Sequence, residues 1–515
     1  MIMKKQICFI ILSALMFSCA SEKEVTKFTL SKAELMDKIK GGWAGQLIGC
    51  TYGGPTEFKY LGRMIPDSTT IAWKPEAVAW YFDNFPGLYD DLYMDMTFVS
   101  AIEQYGVKAP VDSFAHAFAN KGYDLWAANQ VARYNILQGK KAPESGHWLH
   151  NPHADDIDFQ IESDFIGLMH PGMPGSTSDL ADKIGHIMNY GDGWYGGVFV
   201  SNMYSLAFVS DDIQQVVNQA IQAIPEQSDF YKCIQDIIGW HKQYPDDWKK
   251  TWAACQKKWS NEIGSPDGVF APYNIDAKIN SAYVVIGLLY GQGDFFQSID
   301  IATRCGQDSD CNPSTVAGIL GTLNGYEGIP EKWKAPLKSV ADRNFAYTEF
   351  SLHSIYDLGY KHALQRIEEE GGMVDEHDVQ IKLQPVTSVR YEKSFEDHYP
   401  IASTKLDERL GGTQSTELVE YSFEGTGVVI QGNVQGPDDY VAKLAVYLNG
   451  QLHDTVNLPA IAKARRYELY HLYQLPKKAY KLELKLINPI DSATIHATGM
   501  VTYSDDPAIW LSKNE

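Results

Sequence analysis

Gly306-Gln307-Asp308-Ser309-Asp310-Cys311-Asn312-Pro313 places two carboxylates one residue apart where a helix is about to begin. Asn312 suits an N-cap and Pro313 the first helical position, because proline has no N–H to leave unsatisfied there. A second cluster, Tyr89-Asp90-Asp91, stands directly before Met94, Phe98, Ala101, Ile102 and Tyr105, a stripe at helical spacing closed by Gly106. Aspartate at a helix start is ordinary capping and complements the helix dipole, so either cluster alone implies only a helix. If the two helices pack together, four carboxylates converge and their repulsion requires a cation. Hard oxygen ligands without histidine select Mg²⁺, Mn²⁺ or Ca²⁺ over zinc. A third segment, Gly49-Cys50-Thr51-Tyr52-Gly53-Gly54-Pro55-Thr56-Glu57, reads as a helix end running into a glycine-rich turn that carries an acid. Such a turn lets backbone approach a ligand closely at Gly53 and Gly54. It lacks the Gly-Lys-Ser/Thr ending of a phosphate loop, which excludes nucleotide triphosphate chemistry of that type.

Outward from these segments the pattern stays helical. Ser31-Lys32-Ala33-Glu34 has the form of a capping box, with Leu30 and Leu35 placed as a hydrophobic staple, and Leu35, Ile39 and Trp43 continue the face. Ile279, Tyr283, Ile286 and Tyr290 form another stripe, and a last helix is expected over Ser354 to Glu370, stopping at Gly371-Gly372. After Gly372 the texture changes to period-two alternation, as in Leu444-Ala445-Val446-Tyr447-Leu448 and Leu482-Glu483-Leu484-Lys485-Leu486. Asn449-Gly450 has the sequence of a type I′ hairpin turn, and Gly425 to Ile430 reads as a turn feeding a buried strand. The expected architecture is multidomain: an all-α domain over 31–372, then an all-β sandwich over 373–515.

The chain has 515 residues, with 44 Lys+Arg against 65 Asp+Glu and a formal net charge of −21. That excess of acid excludes a nucleic-acid partner, which needs a basic face. Lys4 and Lys5 followed by the apolar run Ile7 to Phe17, too short to span a bilayer, read as a signal peptide over 1–18. Met16-Phe17-Ser18-Cys19 before polar Ala20-Ser21-Glu22 looks like a lipoprotein cleavage site, which makes Cys19 the lipidated residue and 19–30 a linker. Met16 departs from the usual Leu, which leaves simple secretion as the alternative. The expected location is the cell envelope, outer membrane or periplasm, with membrane contact only through the lipid anchor at Cys19. Cys50, Cys233, Cys255, Cys305 and Cys311 are odd in number and widely spaced, so no disulfide framework is expected, although Cys233 and Cys255 could pair.

In this order and with these intervals, the three acidic segments resemble the ADP-ribosylglycohydrolase family, whose pattern is a Gly-rich turn ending in Glu, then Thr-Asp-Asp, then Gly-x-Asp-x-Asp-Thr. The resemblance continues through Asn312 to Ala317-Gly318-Ile319-Leu320-Gly321 and Gly328-Ile329-Pro330 and covers roughly residues 32 to 370. It implies an orthogonal all-α bundle holding one or two divalent ions, usually Mg²⁺, with Asp90, Asp91, Asp308 and Asp310 as ligands. It also implies that Glu57 faces the scissile bond. On mechanistic grounds a ligand-neighbouring carboxylate, Asp308, is expected to take the proton of an ion-bound water. Tyr89 and Cys311 stand where the family has threonine ligands. A thiolate is too soft for Mg²⁺, which puts the second ion in doubt. Tyr89, Cys311 and Asn312 are therefore candidate metal or substrate contacts.

Further substrate contacts are expected from Asp155 and Asp156, and Asp155, Asp158 and Glu162 fall on one helical face after a loop that carries His147, His150 and His153. Three histidines in a loop fix no common face, so a transition-metal site is not expected there. Gly191-Asp192-Gly193-Trp194-Tyr195-Gly196-Gly197 offers Trp194 and Tyr195 on a turn for stacking a base or sugar. The first functional reading is a metal-dependent glycosidase that cleaves a furanosyl, ribosyl-like bond in a small-molecule or oligosaccharide substrate outside the cytoplasm. The alternatives are release of ADP-ribose from protein or small-molecule conjugates and a non-catalytic surface glycan-binding lipoprotein. The C-terminal sandwich looks like the carbohydrate-associated modules of polysaccharide-degrading enzymes.

Overall fold

The computed structural model describes residues 26–514 apart from 262, 415 and 416, so the signal segment and Cys19 lie outside the described residues. The first helix, α1 (Lys32–Gly53), starts at Ser31, whose hydroxyl accepts the Glu34 N–H at 3.1 Å, and Leu30 and Leu35 are buried on either side of that cap. Glycines recur along α1 at every fourth position: Gly41, Gly45, Gly49 and Gly53. Four residues advance a helix by just over one turn, so they form one bare strip. Further helices used below are α2 (Asp90–Tyr105), α3 (Ala127–Leu137), α4 (Gly191–Ala207), α5 (Ala277–Gly291), α6 (Cys311–Asn324) and α7 (Leu352–Glu369).

The bare strip of α1 lies directly on α6. A methyl group on Gly41 would sit 1.9 Å from the Gly321 carbonyl oxygen, on Gly45 2.1 Å from that of Ala317, and on Gly49 2.2 Å from that of Pro313. Backbone thus meets backbone along most of both helices. α6 begins at Cys311, two residues before the expected start, and Asn312 lies inside its first turn instead of capping it. α2 is closed by Gly106, whose φ of 80° only glycine adopts freely, and α7 begins at Leu352, two residues before the expected position, after the N-cap Ser351, which forms a reciprocal capping box with Ser354.

The helical part is followed by antiparallel sheets. Residues 27–30, expected in a linker, belong to strand β1 (Lys27–Ser31). It pairs with β3 (Asp378–Lys382), which also pairs with β2 (Met373–Val374). Val379 and Ile381 are fully buried in the helical core, so this small sheet packs with the helices. Two four-stranded sheets face each other beyond it. One has the order β5 (Leu418–Gly425), β10 (Lys478–Leu486), β7 (Val441–Leu448), β8 (Gln451–Pro459). The other has the order β4 (Tyr399–Gly411), β11 (Thr494–Ser504), β6 (Gly427–Gln435), β9 (Glu468–Leu472). The turn between β7 and β8 has φ of 52° at Asn449 and 78° at Gly450, as a type I′ turn requires. Among the described residues, no helix is long and apolar enough to cross a membrane, and Cys50, Cys233, Cys255, Cys305 and Cys311 are all buried free thiols.

If the α1–α6 contact holds the helical part together, Gly45→Ala must push two backbones apart and should destabilise the protein by about 1–3 kcal/mol in chemical unfolding. Gly239→Ala, on an exposed helix position where an added methyl meets nothing within 4 Å, should instead stabilise it by about 0.4–1 kcal/mol.

Candidate metal centre

The glycine contact runs on past the end of α1. A methyl on Gly53 would sit 1.8 Å from the Ser309 carbonyl oxygen, so the chain leaves α1 pressed against the acidic motif before α6. The Thr56 hydroxyl lies 2.8 Å from the Gly53 carbonyl and 2.9 Å from the Ser309 hydroxyl. Phe58 N–H donates to the Gln307 carbonyl at 3.1 Å, and Gln307 N–H donates to that of Tyr60 at 3.2 Å. Phe58 and Gln307 both adopt left-handed conformations, with φ of 49° and 56°. For side chains of this kind that is strain of order 1–3 kcal/mol each, held where the turn carrying Glu57 meets Asp308.

The two acidic motifs converge. Ligand atoms of Asp90, Asp91 and Cys311 lie within 4.8 Å of one another, and so do those of Asp308, Asp310 and Cys311. The Cys311 sulfur therefore stands between the pairs. Asp91, Asp308 and Asp310 are buried and Asp90 half-buried. Burial and mutual repulsion push Asp90 and Asp310 well above the usual carboxylate range. Burial and the charge of Asp308 raise Asp91 to about 6, and burial with Asp308 and Asp91 raises Glu57 to about 7. The carboxyl groups of Asp308 and Asp310 adjoin, with ligand atoms within 4.8 Å of each other. Asp91 Oδ1 and Asp310 Oδ1 are buried without any donor. Buried, clustered acceptors lacking donors fit a hard divalent cation. Burial and the surrounding carboxylates push the Cys311 thiol well above its ordinary range, and its backbone N–H donates to Asp308 Oδ1 at 3.4 Å, while the thiol of Cys50 donates to Asp91 Oδ2 at 3.4 Å.

Glu57, Asp90, Asp308, Asp310 and Cys311 line a cleft of about 370 Å³. Asp158 and Glu162 line its wall. Asp158 accepts the Ala128 and Asn129 N–H groups at 3.3 and 2.9 Å, capping the start of α3, and Glu162 accepts from the Asn129 side chain while its Oε2 has no partner. Burial lifts Asp158 to about 7 and Glu162 well above its usual range. Phe85 and Trp126, about half exposed, stand at the rim, and the sequence pattern did not single them out. Ala127, next to Trp126, is left-handed with φ 47°.

Other expected contacts lie elsewhere. Tyr89 is buried, its hydroxyl 2.9 Å from Thr51 Oγ1 and its ring against Phe82 and Phe345, so it packs where a ligand was expected. Asn312 is buried and bonds Asn280 at 2.9 Å. Gly53 and Gly54 serve packing, the latter beneath Leu88 and Tyr81, and neither lines the cleft. Asp155 lies beside a separate polar pocket with Asp192 and Lys278, and Asp156 is held by His153. Trp194 and Tyr195 are fully buried in α4: Gly193 and Gly197 let that helix close on Ala154 and Phe159, so the glycines mark packing where a turn was expected. His147 stacks on Tyr190 and His150 lies near Glu144, so the three histidines do not converge.

The sequence model of the ADP-ribosylglycohydrolase family matches residues 31–357. Among solved structures, one chain of an ADP-ribosylglycohydrolase-related protein complex aligns with 65% of this chain and 99% of its own length, at 12% identity and a TM-score of 0.44. A 4-O-methyl-alpha-glucuronidase with specificity for decorated arabinogalactans aligns with 60% of this chain and 39% of its own, at 12% identity and a TM-score of 0.19. No curated protein matches.

Carboxyl groups whose folded pKa is raised hold extra protons in the folded state, so stability without an ion falls as pH rises from about 4 through the folded values of about 6 for Asp91 and about 7 for Glu57. A divalent cation removes that penalty. Thermal unfolding should therefore show a larger stabilisation by Mg²⁺ at pH 8 than at pH 5.5, and Asp310→Asn should abolish the increment.

Proposed function

The chain belongs to the ADP-ribosylglycohydrolase family, and on that premise we propose that it is a metal-dependent glycosidase that cleaves a furanosyl, ribosyl-like bond in a neutral saccharide outside the cytoplasm. Membership makes it a hydrolase of glycosidic bonds. The observation that carries the finer reading is the charge of the cleft. Glu57, Asp90, Asp158, Glu162, Asp308 and Asp310 line it, and among the described residues no Lys, Arg or His does. Even with bound cations, such walls disfavour the diphosphate of ADP-ribose, whose two negative charges would meet no compensating side chain. A neutral sugar meets only hydrogen-bond acceptors and the apolar rim. The signal sequence supports action outside the cytoplasm, where glycans are the abundant substrates, with attachment through Cys19.

Asp90, Asp91, Asp308 and Asp310 would hold the cation. When bound, a divalent ion supplies positive charge that favours ionised oxygens and orients vicinal hydroxyls. The chain's own residues do the rest. Glu57, raised to about 7, carries a proton through a good part of the neutral range and can give it to the leaving-group oxygen. Asp308, at the junction of the two motifs, takes the proton of the attacking water. The Cys311 backbone N–H orients Asp308, and the Cys50 thiol orients Asp91. Phe85 and Trp126 offer ring faces to the departing unit.

An aryl furanoside should be cleaved in a way that EDTA abolishes, while aryl pyranosides, ADP-ribosyl-arginine and ADP-ribosyl-serine stay intact. Glu57→Gln should lower kcat by about 10²–10⁴-fold. Metal-dependent release of ADP-ribose would instead establish the second reading.

A further inference from the structure

We propose that the C-terminal sandwich is a buttress of the catalytic cleft and that Glu468 is a positioning residue, setting through His153 the two irregular segments that wall the acids. This rests on the cleft being the active site, as proposed above. The first link is ionic. Glu468 opens β9, is 2% exposed, and its Oε1 lies 2.7 Å from His153 Nε2. The other ring nitrogen, Nδ1, is 2.7 Å from Asp156 Oδ2 and 3.2 Å from Ser265 Oγ. One imidazole thus joins the sandwich to both wall segments. Burial opposes charge on His153, yet Glu468 and Asp156 together hold it protonated, well above its ordinary range. Burying such a group is costly unless every partner is in place, so the contact fixes one geometry.

Each wall then leads to the chemistry in a few residues. Asp156 is followed by Ile157, whose N–H donates to the Ile275 carbonyl at 2.9 Å, and by Asp158, and both line the cleft. Beyond Ser265, Asp267 accepts from Gln431 of β6. Val269 packs with Val429 of β6 and Val501 and Tyr503 of β11. The same segment continues to Tyr273, whose ring lies 5.5 Å from that of Phe58, the neighbour of Glu57. Asn274 N–H donates to Gln307 Oε1 at 3.1 Å, and Gln307 Nε2 donates to the Pro272 carbonyl at 2.8 Å. Gln307 directly precedes Asp308. Residues 263–274 contain no helix or strand of their own, only turns closed by Gly268 N–H to Ser265 and Ala271 N–H to Gly268, so their placement against the cleft depends on these outside contacts. A module tethered only to bind glycan has no need of them.

The test is hydrogen–deuterium exchange together with Mn²⁺ titration on the full chain, comparing wild type, Glu468→Ala and Glu468→Gln. In Glu468→Ala, amides of 263–276 and 306–311 should exchange at least about tenfold faster while β5 and β10 stay as in wild type, and Mn²⁺ affinity should fall by about tenfold. Glu468→Gln keeps an acceptor for His153 and should restore most of both. A change confined to β9 and β6, with 263–276 exchanging at the wild-type rate, would overturn the proposal. If Glu468→Ala does not fold, Gln431→Ala removes the Asp267 contact alone and should speed exchange in 263–276; wild-type rates there would equally overturn it. Failure of wild type to bind Mn²⁺ would reject the ion site, while the exchange data would still decide the buttress.

Discussion

Two helix backbones in direct contact set everything else in this protein. Side chains normally keep packed helix axes 8–10 Å apart, and the glycines of α1 remove them where α6 passes, so carbonyls of one helix meet α-carbons of the other. At the end of that contact Gly53 rests on Ser309, and the turn bearing Glu57 is thereby tied to the motif bearing Asp308 and Asp310. A bulkier residue at any point of the strip would shift the turn bearing Glu57 relative to the motif bearing Asp308 and Asp310. The close approach is the means by which residues some 250 positions apart in sequence come to share one cleft.

The electrostatics follow from that geometry. Bringing Asp90, Asp91, Asp308 and Asp310 together in buried surroundings is unfavourable by itself, and the molecule shows it in raised carboxyl groups and acceptors without donors. Left-handed Phe58, Ala127 and Gln307 ring the same cleft, so conformational strain and charge repulsion are concentrated at one place. Such features persist where the surrounding structure over-determines them. Here the helix contact supplies part of that restraint. On the other side, the irregular wall segments are fixed by contacts with the sheet face of β6, β9 and β11.

Much of this was legible from residue order. The Ser31 cap with its flanking leucines, the helix closed by Gly106, the turn at Asn449-Gly450 and the two aspartate pairs are local signals, and each element forms from contacts within a few positions. Other features escaped because their partners are distant or their signal is ambiguous. Gly41, Gly45, Gly49 and Gly53 repeat plainly, yet only the last looked functional, and its neighbour proved to be packing too. The glycines around Trp194 and Tyr195 read as a turn, although glycine serves close helix packing equally well. Tyr89 sits in a ligand position of the motif, but its length carries the hydroxyl past the cleft to Thr51. His153 finds Glu468 across 315 residues of chain, a pairing that no local pattern encodes.

The most direct measurement is the anomalous difference density of a crystal grown with Mn²⁺. Convergence of the two aspartate pairs predicts a peak bounded by the carboxylates of Asp90 and Asp91 on one side and of Asp308 and Asp310 on the other, beside the Cys311 sulfur. No peak there, or an ion held by one aspartate pair alone, would contradict the claim that these motifs form a single metal centre.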